Sequence, residues 1–272
     1  MTNGVLSLPD RLNNRYRREF LPPLLLILLL VGIWQLVADY GGLSSFILPS
    51  PVGVAQAAWD TRGLLFPAIG TTMVETMIGL VIATLLGLTI AAAMDFSATV
   101  RRAIYPILVA SQTVQILAIA PLLIIWFGFG LLPTIFIVVL ICFFPLALNT
   151  ADGLASADPE QVDLLRAMNA GRGQIWRIVR LPSALPAFFT GLRIAVTYSV
   201  VGATIGEWVG GSGGLGLYML RSKNALATDQ VFVAIVVTSA ISIGLFALVY
   251  AIERLTLPWY HTQARREAWE ST

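Results

Sequence analysis

The chain has 272 residues, of which 57% are apolar and only 12% charged, with a net charge of +2 and a mean hydropathy of +0.81. Soluble domains carry about 25% charged residues, so the composition excludes an ordinary soluble protein and predicts an all-α integral membrane protein. The arginines are spread among loops rather than gathered on one face, which argues against nucleic acid as a partner, and the lone Cys142 excludes a disulfide framework or a thiolate metal site.

Residues 1–19 are polar and basic and are expected to form a tail. The apolar run that follows opens on Pro22-Pro23 and has no small-residue cleavage site, so it reads as an anchor rather than a removed signal. Phe20–Val37 is the first expected span, just long enough for a hydrocarbon core of about 30 Å. Ala38–Thr71 contains Gly41-Gly42, Pro49, Pro51 and Pro67 and is expected to be too broken to span. Thr72–Met94 is the second span, and Gly79, Ala83, Gly87 and Ala91 recur along it every four residues as a stripe for close helix packing. After the charged turn Asp95–Arg102, Ile104–Phe127 is the third span, with Pro121 a possible break, and Leu131–Leu148 the fourth. Ala187–Ile205 and Val231–Ile252 are the fifth and sixth, separated by the glycine-rich segment Gly206–Gln230. The expected organisation is a tail (1–19), a first helix with its outer loop (20–71), a core (72–257) enclosing a polar loop (151–186), and a second tail (258–272).

The polar stretch Asp158–Pro186 has the marks of two short helices. Asp158 is placed to cap the first, Pro159 takes its first position, and Gln161 falls where a capping box wants Glu or Gln. Val162, Leu165 and Met168 form one apolar stripe, and Asn169-Ala170-Gly171 breaks the helix. The second helix clusters Ile175, Trp176, Ile178 and Val179, with Arg172, Arg177 and Arg180 as polar partners, and Leu181-Pro182 is expected to end it. This pattern resembles the coupling loop of ABC importer permeases, which runs Glu-Ala-Ala, three residues, Gly, then about nine residues to Ile-x-Leu-Pro. Here Asp163-Leu164-Leu165 stands for Glu-Ala-Ala, Asn169 for the Gly, and Val179 to Pro182 for the end. The leading acid is Asp and the turn residue Asn, a mild change because Asn also visits positive φ. Leu48-Pro49-Ser50-Pro51, and Glu207 with Gly213-Gly214-Leu215-Gly216 and Thr228-Asp229, are similar to the nitrate, sulfonate and taurine permease group.

The resemblance implies a type I importer permease of MetI-like fold with six transmembrane helices. It implies a homodimer in a bacterial cytoplasmic membrane, served by two cytoplasmic ABC ATPase subunits and an extracytoplasmic substrate-binding protein. ATP and Mg would sit on the ATPase, with no cofactor on this chain. The coupling residues it implies are Asp158, Gln161, Asp163, Leu165, Arg166, Ala167, Met168, Asn169, Gly171, Arg177, Leu181 and Pro182, with Arg166 and Arg177 available to acids on the ATPase.

The residues themselves argue for the same absence of catalysis. Lys223 is the only lysine and lacks the Gly-Lys-Ser/Thr context of a phosphate loop. His261 is the only histidine and has no metal-ligand partner. Gly210 to Gly214 formally matches Gly-x-Ser-x-Gly but has no histidine base on its side of the membrane. An even number of spans puts both termini on one side, and the arginines and lysine then divide fourteen to three, which predicts cytoplasmic termini and a cytoplasmic polar loop. Glu75, Glu207 and Glu253 stand at expected span ends and are read as interfacial. Gln112, Gln115, Tyr198, Ser199 and Glu207 are the candidates for a translocation pathway, with interhelical hydrogen bonding as the competing role. No basic residue lies at mid-membrane depth, and Glu207-Trp208 with Arg221 to Asp229 resembles the pyrimidine-precursor branch. The expected cargo is therefore a thiamine-precursor pyrimidine or similar heterocycle, ahead of alkanesulfonate, taurine or nitrate. A secondary carrier or channel is the competing class, but it would need coupling charges or broken mid-membrane helices; the charges are absent from the expected spans, though Pro121 is placed to break one of them.

Overall fold

The structure, a computed structural model, describes residues 8–42 and 44–258, with side chains from residue 21 onward. Residues 1–7 and the tail after Pro258, with His261, Arg265 and Arg266, lie outside it, as do the side chains of Arg11, Arg15, Arg17 and Arg18. All regular structure among the described residues is helical. Five helices are long and apolar enough to cross a membrane, and a bent pair makes a sixth span if counted as one.

One compact unit combines the chain up to Arg62 with Ser222–Val233. It contains α1 (Leu8–Tyr40) and α2 (Pro51–Asp60). The Leu48 to Pro51 run starts α2: the Ser50 hydroxyl accepts the Gly53 N–H at 3.1 Å, and Pro51 takes the first helical position, where its missing N–H costs nothing. The Trp34 indole donates to the Pro49 carbonyl at 3.0 Å, and Thr228 donates to the Phe46 carbonyl at 2.7 Å. Part of the segment expected to be too broken to span is thus a short helix, pinned at its start.

The second unit, Gly63–Arg221 with the chain from Ala234 on, holds the rest. α3 (Arg62–Phe96) has 35 residues, about 52 Å at 1.5 Å per residue, well beyond the hydrocarbon thickness. It starts ten residues before the expected Thr72 and runs through Pro67. That proline removes one hydrogen bond near the helix start, where the Gly63 carbonyl, four residues back, belongs to an exposed residue. The third span is not the straight helix expected. It is α4 (Ala98–Ser111) and α5 (Ile116–Phe127), bent by 100° at Gln112–Gln115. Pro121 lies inside α5 and is not the break. The break falls where local polar groups can satisfy the end of α4: Ser111 donates to the Leu108 carbonyl at 2.9 Å and Thr113 to the Ala110 carbonyl at 2.7 Å.

α6 (Leu131–Ala155) packs on both α3 and α9 (Leu181–Gly210). Gly79 and Gly87 of α3 meet Val138 and Leu146 of α6, while Gly202 and Gly206 of α9 meet Val138 and Thr134 on the same helix. A Cβ on Gly206 would stand 2.8 Å from the Thr134 Cα. Lipid tails are as apolar as leucine, so such backbone proximity is what holds membrane helices together. Leu80, Ala83, Val138, Cys142, Leu146, Ala195, Val196 and Ala203 fill the space between. The glycine-rich segment Gly206–Gln230 is partly helical, as α10 (Leu215–Asn224), and α11 (Thr228–Thr256) is the last span.

Candidate functional site

The polar loop folds as two helices. Asp158 caps α7 (Pro159–Ala167) by accepting the Glu160 N–H at 2.9 Å, while Gln161 takes no part in the cap. One helix later the Gln174 side chain reaches back and accepts the Gly171 N–H at 2.8 Å, at the start of α8 (Arg172–Ile175). Asn169 adopts φ of 59°, and the following Ala170 N–H donates to the Leu165 carbonyl at 2.9 Å. Val162 of α7 is buried with Ile175 and Val179, and Leu165 and Ala170 pack on that cluster. Leu165 therefore faces inward. The exposed apolar groups are Leu164 (63% exposed) and Met168 (71%), flanked by Ala167 and by the Asp163–Arg166 ion pair at 2.9 Å.

Leu181-Pro182 does not end the second helix. The chain passes through a π-helical turn (Trp176–Arg180) directly into α9, giving one helix of 39 residues, Arg172–Gly210. The Leu181 N–H reaches back five residues to the Trp176 carbonyl. This wider turn makes room for the Pro182 ring, which would otherwise strike the carbonyl four residues back. Arg180, within the π turn, pairs with Asp95 at the end of α3; the Asp95 side chain is only 6% exposed. Arg177 and Gly171 are exposed, and Leu181 and Pro182 half-buried.

The bend in the third span opens a cavity of about 640 Å³ between α4, α5, α6 and α9. Gln112 and Gln115 lie on its wall at the bend, and Tyr198 of α9 faces it. The side chains of Gln112 and Gln115 and the Tyr198 hydroxyl make no hydrogen bond to another described residue, which leaves amide and phenol groups free beside Phe144 and Ile141. No charged side chain is among the described lining residues. Two pathway candidates lie elsewhere. Ser199 is fully buried and donates to the Val196 carbonyl at 2.7 Å, because it falls on the α9 face turned to the core.

Glu207, the other, is 1% exposed and forms a clamp. Its carboxylate accepts the Thr72 hydroxyl at 2.6 Å and the Gly216 N–H, while Thr72 Oγ1 accepts the Leu215 N–H at 2.8 Å. The first N–H groups of α10 are thereby satisfied by side chains of α9 and α3. Gly214, at φ of 95°, packs its bare Cα against the same carboxyl. Glu75 is fully buried in the protein, thirteen residues into α3, its carboxyl facing that of Glu207, and no described N–H or O–H donates to it. Glu253 is also buried, paired with Arg193 at 3.4 Å. No signal in the sequence pairs these acids, because each partner lies on a distant helix.

The chain matches the family described as "Binding-protein-dependent transport system inner membrane component" over residues 79–257. It is 37% identical over 246 residues to the formylaminopyrimidine transport permease protein ThiX of Halalkalibacterium halodurans, covering 90% of this chain and 98% of that one. It is 40% identical to a probable ABC transporter permease protein of Haemophilus influenzae, over 84% of this chain and 93% of that one. It is 34% identical to the riboflavin transport system permease protein RibX of Chloroflexus aurantiacus, over 87% and 89%. Matches at 30% identity or below are named for sulfonates, taurine and nitrate. Among solved structures, an inward-facing MetNI methionine ABC transporter superposes with a TM-score of 0.58 at 19% identity, covering 71% of this chain and 98% of the other. With this fold, these apolar spans and a family match over most of its length, the chain belongs to the binding-protein-dependent inner membrane components, the MetI-like permeases of ABC importers.

Proposed function

We propose that two copies of this permease work with two separate ATPase subunits and an extracytoplasmic binding protein to import a small neutral heterocycle, a thiamine-precursor pyrimidine. The observation that carries the cargo assignment is the cavity at Gln112–Gln115. Its free polar groups are two amides and a phenol, set among aromatic and aliphatic walls, with no described charge. Amides that donate and accept suit a pyrimidine ring with amino substituents, whereas a fixed anion site in low dielectric calls for Arg, Lys or an oriented helix end with its charge. The formylaminopyrimidine named for one relative has the same chemistry. Coupling is assigned to the face of α7 that carries Asp163, Leu164, Ala167 and Met168, an amphipathic helix presented to a groove on the ATPase. Arg177 pairs with acids there, while Asp158, Asn169 and Gly171 hold the hairpin's shape. The arginine bias supports cytoplasmic placement of this loop and of both termini.

The test is uptake in the reconstituted complex with its binding protein. Labelled formylaminopyrimidine or hydroxymethylpyrimidine is expected to accumulate with ATP, and labelled ethanesulfonate is not. Sulfonate uptake without pyrimidine uptake would sink the cargo assignment and leave the permease in place.

A further inference from the structure

A second cavity, of about 480 Å³, lies where the α3–α4 corner meets the coupling hairpin. Arg166, Arg172 and Arg180 line it against a single acid, Asp95, which leaves its wall with a net charge of +2. The three guanidiniums are not equally committed. Arg180 is held by the buried Asp95. Arg166 is held only by Asp163, with both side chains well exposed, a pairing that water largely screens. Arg172 has no acidic partner among the described residues. Ala98, the first residue of α4, is also on the wall. Ser97 caps this 14-residue helix through the Val100 N–H at 3.4 Å, and the helix presents its positive end to the cavity. The remaining wall is Trp176, stacked on Phe96 with ring centroids 5.8 Å apart.

The geometry points to a phosphate-binding site in this cavity, built from Arg166, Arg172 and the start of α4, with Arg180 fixed in place by Asp95. A guanidinium presents a planar fork of donors that matches phosphate oxygens, and a helix N-terminus adds oriented N–H groups. Two phosphates fit: the headgroup of an anionic phospholipid, or a soluble phosphorylated metabolite. Either would bridge α3 and α4 to the π turn and α7, so its presence would stiffen the junction that the coupling hairpin must move. The inference stands on side chains of this chain alone and does not rest on the cargo.

The test uses the full-length chain in nanodiscs. In phosphatidylcholine discs, inorganic pyrophosphate is titrated by calorimetry. In discs containing phosphatidylglycerol, lipid retained on the protein is read by native mass spectrometry. Binding in the first arm assigns a soluble phosphate, and retention in the second assigns a lipid headgroup. In either arm Arg172→Gln should weaken binding about tenfold, the loss of one charge-assisted contact, and Arg172→Glu should abolish it. Absence of binding in both arms, or equal binding by Arg172→Gln, overturns the proposal. So does loss of a co-purifying ATPase on Arg172→Gln, which would make the cavity part of the protein interface. An ATPase that never binds the unsubstituted chain would instead defeat the coupling assignment, whatever the phosphate result.

Discussion

The two buried carboxyls, Glu207 and Glu75, should respond differently to substitution. Glu207→Ala removes the acceptor for the Gly216 N–H and for the Thr72 hydroxyl. Hydrogen bonds to a charged group contribute about 1.5–3 kcal/mol each, so the pair is worth about 3–6 kcal/mol. Thr72 retains the Ala68 carbonyl at 3.2 Å as a second acceptor, whereas the buried Gly216 N–H has no other partner. The net cost then falls to about 2–4 kcal/mol, roughly 5–15 °C in thermal midpoint for a chain of this size. Glu75→Gln keeps a donor facing the Glu207 carboxyl, the amide taking the place of the carboxyl–carboxyl hydrogen bond, and leaves one acid fewer in the buried pair. It should match or exceed the unsubstituted protein. The assay is retention of the monodisperse size-exclusion peak after heating in detergent. A Glu75→Gln midpoint as low as that of Glu207→Ala would refute the division of labour between the two acids.

Three further outcomes are expected. Gly206→Ala should destabilise by about 1–2 kcal/mol, because its Cβ meets the Thr134 backbone and α6 is held on its other side by α3, whereas Gly244→Ala, with open space around it, should gain up to about 1 kcal/mol; the same heating assay checks both signs. Leu164→Asp should release a co-purified ATPase without harming the fold, while Leu165→Asp should first loosen the hairpin, read as faster proteolysis of the loop; release by neither would remove α7 from the docking surface. In a background lacking Cys142, Asn224→Cys should react with an impermeant thiol reagent added to intact cells and Gln174→Cys should not, both positions being exposed; the reverse pattern would invert the orientation.

Much of this architecture was legible because hydropathy is a one-dimensional signal. The glycine stripe of α3 could be read as packing, and Gly79 and Gly87 do meet α6. Asn169 could be read as a turn residue, and it takes a positive φ. Three features were not legible, each for a physical reason. The 100° bend falls at Gln112–Gln115 rather than at Pro121, because the helix ends where hydroxyls of Ser111 and Thr113 can occupy its last carbonyls. The helix runs on through Pro182 because a π turn, invisible to a 3.6-residue period, relieves the ring. Met168 shares the period of Val162 and Leu165 but lies past the last full turn of α7 and is exposed. The inward stripe therefore stops at Leu165, and a stripe read as a docking face is mostly the hairpin's own core.

The continuity of Arg172–Gly210 also constrains how coupling can work. At 1.5 Å per residue this helix spans about 58 Å. Its first turns pack on α7, its middle carries Tyr198 and Ile194 at the cavity wall, and its last turn holds Glu207 and the start of α10. A loop joined to its span by a broken linker would dissipate a displacement at the coupling face. Under the coupling role proposed for α7, a displacement there is delivered along one rod to the cavity and to the Glu207 clamp together. The one compliant point on that rod is the π turn, since a five-residue hydrogen-bond register can revert to the α register by a local shift. Arg180 tethers that turn to Asp95 on α3, so a change of register there would pull on α3 as well as turn α9. Under that coupling role, a change of register in the π turn would couple the two sides of the cavity through one local motion.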